Sequence, residues 1–179
     1  MAISAGPRSR QLAQSIVELA IATPVLIALL LGAFDVAVMV SDKVIAGAAV
    51  RQGARLAAEI GGQTTNPGMT TATADADVVK NVLAVANAMN YSTITNVYIY
   101  QPGNADGDYH AGDPVDHYDS NGTLVGAIGF PLTARNQVPP NETPIGVRIE
   151  WTYHPPTGIN AFTVNLSEHT TFLASPVLP

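Results

Sequence analysis

The sequence contains no cysteine, so neither a disulfide framework nor thiol chemistry is available to the protein. Charged side chains are also scarce: they make up 12% of the 179 residues, with 8 basic and 14 acidic groups. Beyond Gly61 only three residues are basic, against ten that are acidic. Nucleic acid binding requires a positive surface, so this composition argues against nucleic acid as a partner.

Sequence motifs for catalysis are missing as well. There is no glycine-rich phosphate loop, no Gly-x-Ser-x-Gly elbow and no His-Glu-x-x-His pair. The histidines are scattered, with no nucleophile at a recognisable spacing: His110, His117, His154 and His169. We therefore expect a protein that is not an enzyme and has no organic cofactor.

One long apolar segment dominates the N-terminal part of the chain. Residues 16–40 contain only two ionisable groups, Glu18 and Asp35. Crossing a bilayer takes roughly 20 apolar residues, whereas the apolar region of a secretory signal has only about 7–15. Arg8 and Arg10 precede the segment without an acidic residue, which favours a cytoplasmic N-terminus. The sequence thus predicts a single-pass protein of the cytoplasmic membrane with its C-terminal part outside.

The helical pattern continues past this apolar segment. Ala49, Gly53, Ala57 and Gly61 recur at four-residue spacing, and small residues in that register form a flat stripe where another element can come close. A helix over residues 14–61 would be on the order of 70 Å long. The stripe can pack on the protein's own sheet or on a neighbouring subunit, and we favour the internal contact.

Residues 62–179 predict a separate exported domain. A one-sided apolar pattern indicates a second helix over residues 74–89, and residues 103–122 form a turn-rich loop. Alternating or β-branched residues indicate strands at 95–101, 145–153 and 164–173, with a weaker one at 123–130. The expected fold class is α+β: a long N-terminal helix, a second short helix and an antiparallel sheet of three to four strands.

The N-terminal motifs resemble a known family. A Gln-Ser-Ile-Val-Glu-Leu-Ala run at residues 14–20, Pro24, a Gly-x-x-Asp exit at residues 32–35 and an Arg-x-Gly-Ala-Arg continuation at residues 51–55 occur in this order. In this they resemble the TadE-like pseudopilins, minor pilins of the tight-adherence (Tad) type IV pilus machinery. The resemblance covers about a quarter of the chain.

This resemblance implies a processing site and a set of partners. Residues 1–13 would be a basic leader that a prepilin peptidase removes between Ala13 and Gln14, which leaves Glu18 as the fifth mature residue; the family usually has glycine where this chain has Ala13. The implied partners are other pilin or pseudopilin subunits, the prepilin peptidase, the inner-membrane pilus assembly platform and the membrane. The implied roles are pilus biogenesis, secretion and cell adhesion, with some subunits at the cell surface.

Two residues of the apolar segment are candidates for assembly. Glu18 either pairs with the free N-terminal amine of a neighbouring subunit, which would offset the cost of burying both charges, or is solvated at headgroup depth. Pro24 removes one backbone hydrogen bond and loosens the helix before it. That either allows the helix to bend during assembly or is an ordinary membrane-helix proline.

The acidic loop at residues 103–122 is a candidate Ca²⁺ site. Calcium takes 6–8 oxygen ligands, and the loop begins like an EF-hand. Tyr109 then stands where glycine is needed and Val115 where glutamate is needed. The alternative is a solvated loop built from good turn formers. The candidate ligands are Asn104, Asp106, Asp108 and Asp113.

The sequence leaves two functional interpretations open. The first is a structural pseudopilin subunit whose long helix holds it in the membrane before assembly. The alternative is a membrane-tethered extracytoplasmic domain that binds Ca²⁺, a glycan or a surface partner, with the helix only as an anchor. The small-residue stripe beyond the membrane favours the first interpretation, because a simple tether does not need one.

Overall fold

The computed structural model describes residues 7–60, 68–158 and 163–175 of the chain. Helix α1, Pro7–Ile60, is 54 residues long, which corresponds to about 80 Å. Pro24 lies inside α1 without ending it. The N-terminal part of the chain is therefore one continuous helix.

Helix α2 spans Thr71–Ala86 and begins at a capping box. The Thr70 hydroxyl accepts a hydrogen bond from the Thr73 amide at 3.2 Å, and the Thr73 hydroxyl accepts one from the Thr70 amide at 3.1 Å. These bonds satisfy amides that a helix start leaves open. The helix therefore begins and ends three residues before the predicted 74–89. Its buried face consists of Ala74, Asp75, Val78, Val79, Val82 and Ala86.

The domain contains a four-stranded, fully antiparallel sheet with the strand order β2-β1-β3-β4. The strands are β1, Ser92–Tyr100; β2, Val115–Asp119; β3, Pro144–Tyr153; and β4, Val164–Leu173. Strands β3 and β4 pair without a bulge from Pro144–Leu173 to Tyr153–Val164. The predicted α+β class with an antiparallel sheet is confirmed.

Two predictions for the middle of the chain were wrong. Strand β2 lies in the segment predicted as a loop, and residues 123–130, predicted as a weak strand, form only an isolated bridge between Leu124 and Tyr118. Further along, the Asp116 carboxylate accepts the amide hydrogens of Gly129 at 2.7 Å and Phe130 at 3.0 Å. Those amides are thus bonded to a side chain rather than to a strand.

The segment after β2 folds back along that strand. Asp119 donates its amide hydrogen to the Thr123 carbonyl at 2.9 Å, and Val125 donates to the His117 carbonyl at 2.7 Å. Residues 123–125 therefore cover the outer edge of β2. Strand β4 forms the opposite edge of the sheet.

The core lies between the inner face of the sheet and the two helices. Helix α1 contacts α2, β3 and β4. Among residues 14–60 of α1, the buried ones all follow Phe34, whereas residues 14–30 are exposed. The C-terminal half of α1 is thus part of the domain and the N-terminal half projects from it. The largest fully buried apolar and aromatic side chains are Trp151, Tyr100, Tyr153, Phe130, Ile99, Ile145 and Ile149.

Candidate functional site

The projecting half of α1 is an uncovered apolar rod. Its most apolar window has a mean hydropathy of 2.3 and no buried residue, so by length and composition the helix could cross a membrane. Large apolar side chains are exposed all round it: Ile16, Val17, Leu19, Ile21, Val25, Leu26, Ile27, Leu29, Leu30 and Phe34. Such a surface is stable only in lipid or against other apolar helices.

Asp35 marks the point where the domain begins to cover the helix. It is 3% exposed, and its two carboxylate oxygens accept hydrogen bonds from the Thr157 hydroxyl at 2.6 Å and the Thr157 amide at 3.3 Å. Its carbonyl accepts the Tyr153 hydroxyl at 2.7 Å. The uncovered stretch, residues 16–34, is about 28 Å long, close to the roughly 30 Å of a bilayer core. The predicted span of residues 16–40 runs past this point.

Asp42 binds a second part of the domain to the helix. It is 1% exposed, and its carboxylate accepts the Ser92 hydroxyl at 2.6 Å and the amides of Asn90 and Tyr91, each at 3.3 Å. It follows Asp35 by two helical turns, so both carboxylates lie on the same face of α1. The sequence analysis gave neither residue a role in packing. Two acids seven residues apart on a helix with a buried small-residue face were the available signal.

The small-residue stripe lies inside the domain. Ala49, Gly53 and Ala57 are buried, and Gly61 lies outside the described residues. A Cβ atom placed on Gly53 would overlap the Cγ2 methyl of Val82 on α2 and come within 3.5 Å of Val147 Cγ1 on β3. In the structure this part of the stripe therefore brings α1 close to α2 and β3 of the same chain.

A different row of residues on α1 remains exposed above Asp35. Val36, Val40 and Val44 are 55%, 51% and 62% exposed. Their four-residue spacing places them on one face of the helix. We call these three residues the valine row. It continues the apolar surface of the rod beyond the length that a bilayer core covers.

The predicted processing and assembly residues lie on the projecting part of α1. The helix runs without interruption through the bond between Ala13 and Gln14. The Gln14 side-chain amide donates to Glu18 Oε1 at 2.9 Å, one turn further along. In the isolated chain Glu18 is exposed. Its predicted pairing with a neighbouring subunit stays a prediction.

A buried charge cluster stabilises the far end of the domain. The Arg135 guanidinium binds both carboxylate oxygens of Asp75, at 2.7 and 3.0 Å, and Asp116 Oδ2 at 3.0 Å. It also donates to the Phe130 carbonyl at 2.8 Å and lies 4.7 Å from the centre of that ring. All three charged side chains are fully buried. The cluster joins α2, β2 and the loop before β3.

The charges of this cluster are unbalanced, because one cation serves two carboxylates. Burial raises the pKa of Asp75 from its ordinary 3.8 to about 6, although the hydrogen bonds and charge of Arg135 oppose this shift. Burial and the charge of Asp75 likewise raise the pKa of Tyr118, whose hydroxyl lies 3.2 Å from Asp75 Oδ2. The arrangement is structural, since all three guanidinium nitrogens of Arg135 donate to buried groups of the domain.

The predicted Ca²⁺ ligands bond mainly to their own loop. Asp106 accepts the Asp108 amide at 3.1 Å, Asp113 accepts the His110 amide at 2.9 Å, and the Asn104 carbonyl accepts the Gly107 amide at 3.3 Å. Within the described residues, no group of three or more His, Asp or Glu side chains is arranged to hold a metal ion. Calcium binding stays a prediction.

The outer face of the sheet carries the surface that a binding domain would use. Arg148 bridges Asp108 at 3.0 Å and Glu150 at 3.2 Å. Beside it lies an open concavity of about 390 Å³. Arg148 and Glu150, which both line it, are paired with each other, whereas Arg148 Nε and Trp151 Nε1 are buried without a hydrogen-bond partner in the described part of the chain. The lining residues are Thr95, Arg148, Glu150, Trp151, Thr152, Asn165, Leu166 and Ser167.

A long apolar helix projects from a small α+β domain by about the thickness of a bilayer core, and by length and composition it could anchor the domain in a membrane. The family model of TadE-like proteins matches residues 13–55. The match contains Glu18, Pro24, Asp35 and Gly53 and confirms the resemblance for this part of the chain. It relates the protein to the Tad pilus system. The comparison with curated proteins found no match, and neither did the comparison with solved structures.

Proposed function

We propose that the protein is a structural pseudopilin subunit of a Tad-type pilus. Its N-terminal helix holds it in the cytoplasmic membrane, with the N-terminus inside and the domain outside, until it is assembled. The observation that carries this proposal is the valine row, which extends the apolar surface of α1 above the level of Asp35.

The valine row needs a partner that lipid does not supply. Residues 16–34 already match the bilayer core, and the domain covers the helix from Asp35 onward. Val36 and Val40 therefore lie at the level of the outer headgroups, and Val44, about 13 Å beyond Asp35 along the helix, lies outside them, where an exposed apolar side chain gains nothing. Burying one valine contributes roughly 1.5–3 kcal/mol, so neighbouring helices packed along this row would stabilise a bundle by several kcal/mol. A simple tether would be served better by polar residues here.

The small-residue stripe does not distinguish a structural subunit from a tether. The stripe was expected to distinguish a structural subunit from a tether, but its described part contacts the protein's own domain. A tether with a docked domain would need the same stripe. The valine row differs in that its side chains are at least half exposed and belong neither to the core nor to the apolar residues that flank it.

We expect Val44→Glu to block incorporation into the pilus and to leave the folded domain intact. Val44 is 62% exposed, so glutamate meets no internal contact, whereas a carboxylate buried between helices costs several kcal/mol. The measurements are the amount of subunit in sheared pilus fractions and the melting temperature of the purified protein in detergent.

Val125→Glu is the matched control, because Val125 is 46% exposed but lies in the segment along β2 rather than on α1. It should assemble normally. Normal assembly of Val44→Glu would remove the support for helix bundling and favour the tethered binding domain.

We expect the native protein to begin at Gln14. The leader carries Arg8 and Arg10, and cleavage after Ala13 would create a free amine four residues before Glu18. Mass spectrometry of the N-terminus of protein isolated from its own cells gives the answer. Intact chains that begin at Met1, in cells with an active prepilin peptidase, would contradict cleavage at this site.

We expect Glu18→Ala to prevent assembly while membrane insertion stays normal or improves. An acid within the hydrocarbon costs about 2.5–3.5 kcal/mol on insertion scales, so its removal favours insertion, yet it also removes the partner of the neighbour's amine. Membrane fractionation measures insertion, and sheared fractions measure assembly. Glu18→Gln is the control for size. Normal pili from Glu18→Ala would mean that Glu18 is merely solvated.

A further inference from the structure

We infer that, in the membrane-anchored subunit, the turn at residues 155–158 rests in the lipid headgroup layer, so that the lipid surface is a binding partner of the domain. This inference rests on the anchoring helix of the proposed function. It adds a contact made by the domain itself, through a surface to which no motif of the sequence pointed.

The length of the helix determines where Asp35 lies relative to the outer membrane boundary. If the hydrocarbon core begins at Ile16, its thickness of roughly 30 Å places its other boundary near Phe34. If Glu18 lies at the inner headgroups instead, the hydrocarbon begins at Leu19 and ends about three residues after Phe34. In either case Asp35 lies within about one helical turn of the outer boundary between hydrocarbon and headgroups.

The turn is hydrogen-bonded to the helix at this level. Thr157 donates both its hydroxyl and its amide hydrogen to the Asp35 carboxylate, at 2.6 and 3.3 Å. The headgroup region is roughly 5–8 Å thick on each side of the core. A turn that touches Asp35 cannot lie outside a layer of that thickness while the helix stays inserted.

The turn and the helix residues next to it present little charge to the lipid. The described residues of the turn are Pro155, Pro156, Thr157 and Gly158, none of which carries a charge. The two carboxylates nearest the membrane, Asp35 and Asp42, are buried and hydrogen-bonded, in a chain whose net charge is −6. The end of the domain that faces the lipid therefore presents no exposed acid from these residues to repel anionic headgroups.

An aromatic residue, Tyr91, is hydrogen-bonded through its backbone to His154, the residue before the turn. The Tyr91 carbonyl accepts the His154 amide at 2.8 Å, and the Tyr91 side chain is partly exposed. Tyrosine is enriched at membrane interfaces, because its ring is apolar and its hydroxyl is polar. A neutral turn next to a half-exposed tyrosine fits a lipid surface better than it fits a charged protein partner.

The absence of cysteine allows a direct test in the full-length protein. Single cysteines at Pro156, Leu26 and Val138 would each carry an environment-sensitive fluorophore, and the protein would be reconstituted into phosphatidylcholine–phosphatidylglycerol vesicles. One set of vesicles carries a headgroup spin label and the other a spin label deep in the acyl chains. Val138 is the distant control: its neighbour Gln137 bonds to Ser175, and Ser175 bonds to Ala58, about 35 Å along the helix from Asp35.

The Pro156 label should lose most of its fluorescence with the headgroup quencher, the Leu26 label with the deep quencher, and the Val138 label with neither. If the Pro156 label is as unaffected as the Val138 label while the Leu26 label is quenched, the helix spans the membrane and only this inference is overturned. If the Leu26 label is not quenched, the inference and the anchoring part of the proposed function both fail. A label at His154→Cys, exposed at the start of the turn, repeats the measurement should Pro156→Cys disturb the fold.

Discussion

Gly53→Leu is expected to lower the free energy of unfolding by about 2–3 kcal/mol, which is at the upper end of the range typical of overpacked cores. Even a bare Cβ at this position would overlap the Val82 methyl, and Val147 lies behind it at 3.5 Å. Leucine adds three more carbons in the same space, so α1 must move away from α2 or from the sheet. Thermal unfolding of the full-length protein in detergent, followed by near-ultraviolet circular dichroism, measures the change.

Gly47 provides the matched control on the same helix. A Cβ there meets only the end of the Arg51 side chain, at 3.7 Å. Because alanine is up to about 1 kcal/mol better than glycine within a helix, Gly47→Ala should raise the melting temperature while Gly53→Ala lowers it. An unchanged melting temperature for Gly53→Leu would mean that α1 does not pack on α2 and β3 in the membrane protein, and the stripe would then belong to a filament contact.

Arg135→Met is expected to be the most damaging single substitution, with a loss of about 3–5 kcal/mol at neutral pH. It leaves the carboxylates of Asp75 and Asp116 buried side by side without a cation, and the Phe130 carbonyl loses its donor. Arg148→Met is the control, since Arg148 is half-buried on the outer face and its pairs reach solvent. Equal effects of the two substitutions would contradict a central role for the cluster.

The loss caused by Arg135→Met should shrink as the pH falls. Already in the native protein the pKa of Asp75 is raised to about 6, whereas in the unfolded chain it has its ordinary value of 3.8. The folded state therefore binds a proton that the unfolded state does not, and this group adds stability as the pH falls from 7 towards 4. Without Arg135 the pKa rises further, so the recovery at low pH should be larger than in the native protein.

A double variant separates charge from packing in this cluster. Asp75→Asn combined with Arg135→Met removes one of the two uncompensated carboxylates. It should be more stable at neutral pH than Arg135→Met alone and should depend less on pH between 7 and 4. If the double variant is no more stable than the single one, the uncompensated charge of Asp75 is not what destabilises Arg135→Met.

The sequence predicted the elements whose signals are local. Strand β4 has the predicted bounds, and β3 begins one residue earlier than expected, because both alternate or contain β-branched residues without interruption. The long helix was visible as an unbroken run of helix-compatible residues, and the TadE-like motifs lie within it. Helix α2 was shifted because threonine stands at both positions of its capping box, where the usual pattern ends in Glu or Gln.

The missed features depend on partners that are distant in the chain. The side chains of Asp116 and Tyr118 on β2 point inward. An aspartate in the sequence favours a loop prediction, because the arginine that binds it, Arg135, lies 19 residues away. Asp35 was visible only as an ionisable group in the apolar segment, because its partner Thr157 follows 122 residues later. Local patterns carry no information about such pairs. The valine row was likewise indistinguishable from the membrane span until the position of Asp35 defined where the span ends.

The two edge strands of the sheet determine whether neighbouring copies of the protein can pair with each other. Strands β2 and β4 run antiparallel, since three antiparallel pairings separate them. Two copies standing side by side in one membrane would therefore present β4 of one to β2 of the other in the orientation that extends a sheet. Exposed edges that match in this way are a route to aggregation. Residues 123–125 already cover the outer edge of β2, so copies held side by side as proposed would find this edge closed to pairing with β4.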